Sequence, residues 1–133
     1  MEVSRYDGEG KPVLDHLVVE GELSAGEFVK FLCVSDATEL TIAGGVITAT
    51  QSYHDIDTAG GAGTDDLDTI NGGDIGSILV IRAEHSDRTV VVKAGTGNLR
   101  LNSDFSMDNT RDVMVLMRIS AISWVEISRS SNT

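Results

Sequence analysis

Apolar residues fall in short runs of four to seven, rich in Val, Ile and Thr and cut apart by Gly, Asn, Asp and Ser. Runs of that length with β-branched content and turn-forming boundaries predict strands, and no stretch carries a sustained helical period. The expected strands are 16–23, 27–34, 38–43, 46–52, 77–83, 88–93, 98–102, 104–107, 112–119 and 122–129. Leu99 and Leu101 alternate with Asn98, Arg100 and Asn102, which predicts one wet face. Ile78 to Ile81 and Val90 to Val92 are apolar on both faces and belong at the centre of the fold or under another subunit. The connections Ala43–Gly45, Glu84–Asp87, Ala94–Gly97 and Ser120–Ala121 are short enough to join antiparallel neighbours. The pattern therefore predicts an all-β protomer dominated by hairpins, an antiparallel β-sandwich or a jelly-roll-like fold. Pro12, preceded by a polar, Gly-rich stretch, marks residues 1–12 as an arm on a single β domain at 13–133, either gripping a neighbour or hanging as a loose terminus.

A faint repeat at an offset of 50 to 52 lays Ser35, Asp36, Thr38, Ala43, Gly44 and Gly45 over Ser86, Asp87, Thr89, Ala94, Gly95 and Gly97. Either a duplication or two similar strand-turn-strand units would produce it.

With 133 residues, 41% hydrophobic and only 5% aromatic, the chain is one domain whose core must be built from Val, Ile and Leu. A core of that size gains from burial against partner subunits, so oligomerisation is expected. A net charge of −11 argues against nucleic acid and anionic membranes as partners and favours a protein or a glycan. The charge is uneven, with 15 acids against 3 bases in residues 1–74 and 6 against 7 in 75–133. Cys33 is the single cysteine, so no intrachain disulfide can form, and no Cys/His cluster has zinc spacing. The N-terminal stretch lacks a leader pattern and no apolar run approaches a membrane span, so a soluble protein made in a cytosol is expected.

Candidate chemistry concentrates between His54 and Asp74, where Asp55, Asp57, Asp65, Asp66, Asp68 and Asp74 stand among glycines and threonines without Lys or Arg. Closely spaced carboxylates in a Gly-rich loop can cage calcium; the alternative is a solvated acidic loop. Asp55-Ile56-Asp57 lacks the remaining EF-hand ligands, and Gly60 to Asp68 fits one nonapeptide of a calcium-binding β-roll that needs several copies. His16, His54 and His85 are scattered, without a nucleophile elbow, and are expected at the surface. Opposed carboxylates across a sugar-sized cleft, as a glycosidase requires, are not indicated. Gly95-Thr96-Gly97-Asn98 lacks the third glycine and following helix of a phosphate loop and reads as a hairpin turn. Trp124 and Tyr53 can stack on sugars. Trp124 beside Val125 and Ile127 reads better as core or subunit contact, as do Phe105, Leu99 and Leu101, with Met107, Met114 and Met117 filling gaps. No catalytic residue and no cofactor are expected.

DDLDTINGG, then GSILVIRAEHSDRTVVVKAGTGNLRLNSDFSMDNTRDVMVLMRIS, then SWVEISRS resemble a β-rich module recurrent in virion structural proteins of tailed bacteriophages, often at the end of tail-fibre or other exterior proteins. The resemblance covers about residues 46–131. Its most specific parts are Arg88 to Val92, Gly97 to Leu101, Asp104-Phe105, Asp108-Asn109 and Trp124 to Arg129. The family usually has an Asp-Gly-type turn before the tryptophan, where this chain has Ile119-Ser120-Ala121-Ile122-Ser123. The resemblance implies a non-enzymatic, trimeric exterior protein of a phage particle. Because 133 residues have no room for the anchor, shaft and tip of a fibre, a capsid decoration protein bound to the major capsid protein is expected first, and a receptor- or glycan-binding fibre tip second. Particle attachment is expected in residues 1–45, which have no match to the module and contain Arg5, Tyr6 and Pro12.

Overall fold

The computed structural model describes residues 8–10 and 34–133. The chain separates into two units, Met1–Leu32 and Cys33–Thr133, and all the described strands lie in the second. The expected strands at 16–23 and 27–34, apart from Val34, lie outside the described residues, as do Arg5, Tyr6, Pro12, His16 and Cys33.

The described fold is all-β. Its strands are β1 (Thr38–Thr41), β2 (Val46–Thr48), β3 (Tyr53–Asp57), β4 (Thr64–Leu67), β5 (Thr69–Asn71), β6 (Ile78–Ala83), β7 (Thr89–Val92), β8 (Leu99–Arg100), β9 (Phe105–Met107), β10 (Val113–Ser120) and β11 (Ser123–Ser130). They form a six-stranded sheet in the order β1-β3-β6-β10-β11-β8, a three-stranded sheet β4-β7-β9 and a pair β2-β5.

Hairpins do not dominate. Five of the eight strand pairings are parallel, namely β1/β3, β3/β6, β2/β5, β4/β7 and β8/β11. Antiparallel pairing is confined to β6/β10, β10/β11 and β7/β9. The chain winds in successive coils whose short strands stack in parallel, a solenoid-like arrangement where an antiparallel sandwich was expected. A strand buried on one face has the same period of two whether its neighbour arrives by a hairpin or by a coil, so alternation cannot separate the two. Of the four short connections, Ala43–Gly45 and Ser120–Ala121 do close antiparallel turns. Glu84–Asp87 and Ala94–Gly97 instead turn corners that carry the chain from one sheet to another.

Stacking places like on like in the interior. Ile47 lies over Ile70, Leu67 over Val92, and Ile56 beside Ala83, all buried. Trp124, Phe105, Leu99, Met107 and Met114 complete this core, and Leu101 packs at its margin. Met117 is half-buried.

One corner explains the faint repeat. The carbonyl of Gly45 accepts the N–H groups of Asp68 (2.8 Å) and Thr69 (3.0 Å), the Thr96 hydroxyl donates to the Asp68 carboxylate, and Gly97 rests against the Asp68 carbonyl. Gly45, Asp68 and Gly97 are therefore successive levels of a single corner, and the offset of 52 from Gly45 to Gly97 spans two of its steps. The rest of the repeat has no structural counterpart, since Thr38 pairs with His54 in the six-stranded sheet while Thr89 pairs with Thr64 in another.

Side chains also close the ladder over β5. Asn98 places its amide where the next strand would lie, accepting the Ile70 N–H on Oδ1 (2.9 Å) and donating Nδ2–H to the Ile70 carbonyl (2.8 Å). The Trp124 indole N–H donates to that same carbonyl at 3.0 Å. Asn98, expected on a wet strand face, thus serves as a substitute peptide group, satisfying backbone that would otherwise be costly to bury.

Candidate functional site

The acidic segment is largely strand, not loop: β3, β4 and β5 all fall within 53–71. Asp55 accepts a two-pronged bond from its register neighbour Arg82 at 2.7 and 2.6 Å. Asp57 accepts Arg88 Nη1–H at 2.7 and 3.0 Å and the Thr58 N–H at 2.8 Å. Burial opposes ionisation of Asp57, but the Arg88 and Thr58 hydrogen bonds, with the charges of Arg88 and His85, outweigh it and hold the carboxyl below its ordinary value. Asp65 accepts the N–H groups of Ala59 and Asp66, both at 2.9 Å, Asp68 accepts Thr96, and Asp66 is exposed. Strand geometry and the winding of the coils disperse these acids. Among the described residues no three His, Cys, Asp or Glu side chains converge as metal ligands. The calcium candidates therefore do not form a cage; their partners are arginines, a hydroxyl and backbone amides.

His54, expected at the surface, is fully buried. Its Nε2 accepts the N–H groups of Thr50 (3.0 Å) and Gln51 (3.2 Å), so the ring proton sits on Nδ1, which donates to Thr38, its carbonyl and hydroxyl oxygens both lying at 2.9 Å. The imidazole thereby ties β1 to the turn between β2 and β3. His85 is partly exposed, with Nε2 4.0 Å from Asp57.

That turn forms one wall of a cleft of about 200 Å³. Ala49, Thr50, Gln51 and Ser52 line one side, Gly73, Asp74, Ser77, Ile78 and Leu79 the other, and Trp124 contributes from β11. The walls are equivalent turns of successive coils, one leading from β2 to β3 and the other from β5 to β6. They touch: the Ala49 N–H donates to the Asn71 carbonyl at 2.9 Å, and a Cβ on Gly72 would lie 2.1 Å from the Ala49 oxygen. Gly72 has φ +84, so both backbone conformation and space require glycine there. Asp74 and Ser77 close a tight turn, with the Ser77 N–H on the Asp74 carbonyl (3.0 Å) and the Asp74 N–H on the Ser77 hydroxyl (2.9 Å). Arg118 clamps the second wall by donating to the carbonyls of Gly72, Gly73, Ser120 and Ala121. Trp124 is 1% exposed, its ring has the Arg118 guanidinium 5.9 Å from the centroid, and its outer edge lies against Gly73. It is a core residue that shows the cleft an edge, not an open stacking platform. Tyr53 lies outside the cleft lining, with Arg82 5.9 Å from its ring centroid.

A second surface is the outer face of the six-stranded sheet. Alternation and register put Tyr53, Val80, Val115 and Ser128 in one row and Ile78, Met117, Val125 and Arg100 in the next, with Asp55, Arg82, Val113 and Ser130 beyond. Val80, Val113, Val115, Met117 and Val125 are only half-buried, and Ile78 is exposed. Ile119, at 52% exposure, and Ile122, at 73%, extend apolar surface to the tip of the β10–β11 hairpin. This is the expected two-sidedness of Ile78 to Ile81, but in Val90–Val92 only Val91 looks outward.

Sequence reasoning missed Asn98, Arg118 and Gln51. Their roles depend on partners up to 46 residues away, which no local spacing reveals. Compared with protein-family models and with curated proteins, the chain matches none.

Proposed function

We propose that this chain is a non-enzymatic structural protein of the exterior of a tailed-phage virion, a homotrimeric decoration protein that binds the major capsid protein and stabilises the shell. The observation that carries the reading is the outer face of the six-stranded sheet, where Ile78, Val80, Val113, Val115, Met117 and Val125 of β6, β10 and β11 stand in register, while the charges of that face gather toward its edges, Glu39, Asp55, Asp57 and Arg82 on the β1–β3 side and Arg100 on β8. In a chain of net charge −11, such a face is where like copies approach with least repulsion and most apolar gain. The mechanism is adhesive: one trimer bridging several shell subunits binds only the assembled state and stabilises it by linkage. Attachment to the shell belongs to residues 1–45, through Arg5, Tyr6 and the segment around Pro12. Ion-paired Asp55 and Asp57, and a cleft lined among the described residues by one carboxylate and no histidine, support a role without turnover.

Light scattering of the purified protein at micromolar concentration tests the assembly. The expected mass is that of three chains, and Val115→Lys, on the outer face, should yield a folded monomer. A wild-type monomer would remove the proposal's basis. The cleft beside Trp124 favours one second reading, a glycan-binding fibre tip.

A further inference from the structure

We propose that the cleft between the Ala49–Ser52 turn and the Gly73–Leu79 segment binds a single neutral sugar ring. The proposal deepens the fibre-tip reading and rests on it. The volume, about 200 Å³, is below the roughly 300 Å³ at which pockets for drug-sized ligands begin, which limits the occupant to one ring at a chain end or branch. Its lining is amphipathic in the way a pyranose is. Ile78, Leu79 and the Trp124 edge offer apolar surface for a C–H face, while Thr50, Gln51, Ser52, Asp74 and Ser77 offer groups for hydroxyls.

The polar groups are available. No hydrogen bond among the described residues engages the Asp74 carboxylate, the Ser52 hydroxyl or the Gln51 carbonyl oxygen, because Gln51 spends only its Nε2 on the carbonyls of Asp36 and Tyr53. A carboxylate and an amide oxygen accept from sugar hydroxyls, and the Thr50 and Ser52 hydroxyls can donate or accept. Charge excludes other ligands. Among the described residues no Lys or Arg lines the cleft, so Asp74 and the acidic chain around it disfavour phosphate, uronic and sialic acids. The walls are also set in advance: Arg118 fixes Gly72 and Gly73, Gly72 is pressed on Ala49, and His54 holds the Thr50 and Gln51 amides. Little ordering is left to oppose binding.

Trp124 is the single tryptophan in the chain, so a change in tryptophan emission is assigned to this one ring, whose edge meets the cleft. The experiment titrates the full chain with the methyl glycosides of glucose, galactose, mannose and N-acetylglucosamine, and with glucuronate and sialic acid, following emission and saturation-transfer NMR. A saturable response to at least one neutral glycoside and none to the acidic sugars is expected. Asp74→Asn, at an exposed carboxylate that no hydrogen bond among the described residues engages, should leave melting unchanged while weakening binding tenfold or more. Silence from every neutral glycoside, equal binding of the acidic sugars, or affinity indifferent to Asp74→Asn would overturn the site. Silence from a protein that is found on particles removes the sugar site and leaves the virion reading standing. Binding by a protein absent from particles does the reverse.

Discussion

Replacing His54 by alanine should be among the most destabilising single changes in the described fold. The imidazole is 0% exposed and links three segments through the Thr50 and Gln51 amides and Thr38. Alanine removes three hydrogen bonds, each contributing about 1 kcal/mol net, and leaves two backbone N–H groups at a partly buried turn without an acceptor. The space vacated by the ring adds about 1–2 kcal/mol. The sum is about 4 kcal/mol, which for a unit near 100 residues lowers the melting temperature by about 15 °C or more. His54→Gln, which keeps an acceptor and a donor, should recover part of that loss, whereas His54→Phe, which fills the volume without either, should not. Urea melts of the three variants supply the comparison. A His54→Ala protein within about 0.5 kcal/mol of wild type would show that the imidazole does not tie these segments together, because so small a loss is ordinary for a surface substitution. So would equal stability of the Gln and Phe variants, since the hydrogen bonds would then count for nothing.

Gly97→Ala should cost more than about 3 kcal/mol, because φ is +51 and the new Cβ would meet the Asp68 carbonyl at 2.2 Å, whereas Gly44→Ala, at φ +59 in open space, should cost only about 1 kcal/mol. Equal thermal shifts for the two would contradict the stacked corner. Trp124→Ala should cost about 3–5 kcal/mol in a denaturant melt, through the cavity and the lost bond to Ile70; a near-neutral result would place the ring outside the core. Burial, with Asp55 and Glu39 nearby, pushes the Glu84 carboxyl above its ordinary value, so ionised Glu84 opposes folding and that opposition fades as pH falls through the raised value. Asp57 and Glu126 carry the opposite sign: the first is held low by Arg88 and Thr58 against its burial, the second chiefly by Arg129. Their stabilisation is present above the unfolded carboxylate range near about pH 4 and is lost below it. Thermal melts across pH should therefore rise from neutral into mild acid and then fall, and Glu84→Gln should raise neutral-pH stability and flatten the rise; an unchanged profile in that variant would remove Glu84 from the account.

Eight strands were legible from their apolar residues, and in the longer ones buried positions alternate, as in Leu79, Ile81 and Ala83 or Val90 and Val92. β3, β4 and β5 were not. Their sequences YHDID, TDDL and TIN offer one aliphatic side chain each, and their acids look like loop composition until Arg82 and Arg88, about 30 residues on, are seen to pair with Asp55 and Asp57. Parallel winding was invisible for the same reason, since a strand's partner is the previous coil and not the next turn. The cleft was hidden further. Asp74 stood out only as another acid in a run, and what distinguishes it, a carboxylate facing a turn from the preceding coil across a cleft, is a property of the stacked coils.

The claim that this chain decorates the outside of a phage particle is tested most directly by image reconstruction of particles assembled from the genome that encodes it, with and without its gene. Trimeric density is expected on the outer surface of the capsid, fitting the six-stranded sheet at the three-fold contact and disappearing on deletion, together with earlier loss of shell integrity on heating. Particles of unchanged density and unchanged heat resistance after deletion would contradict it.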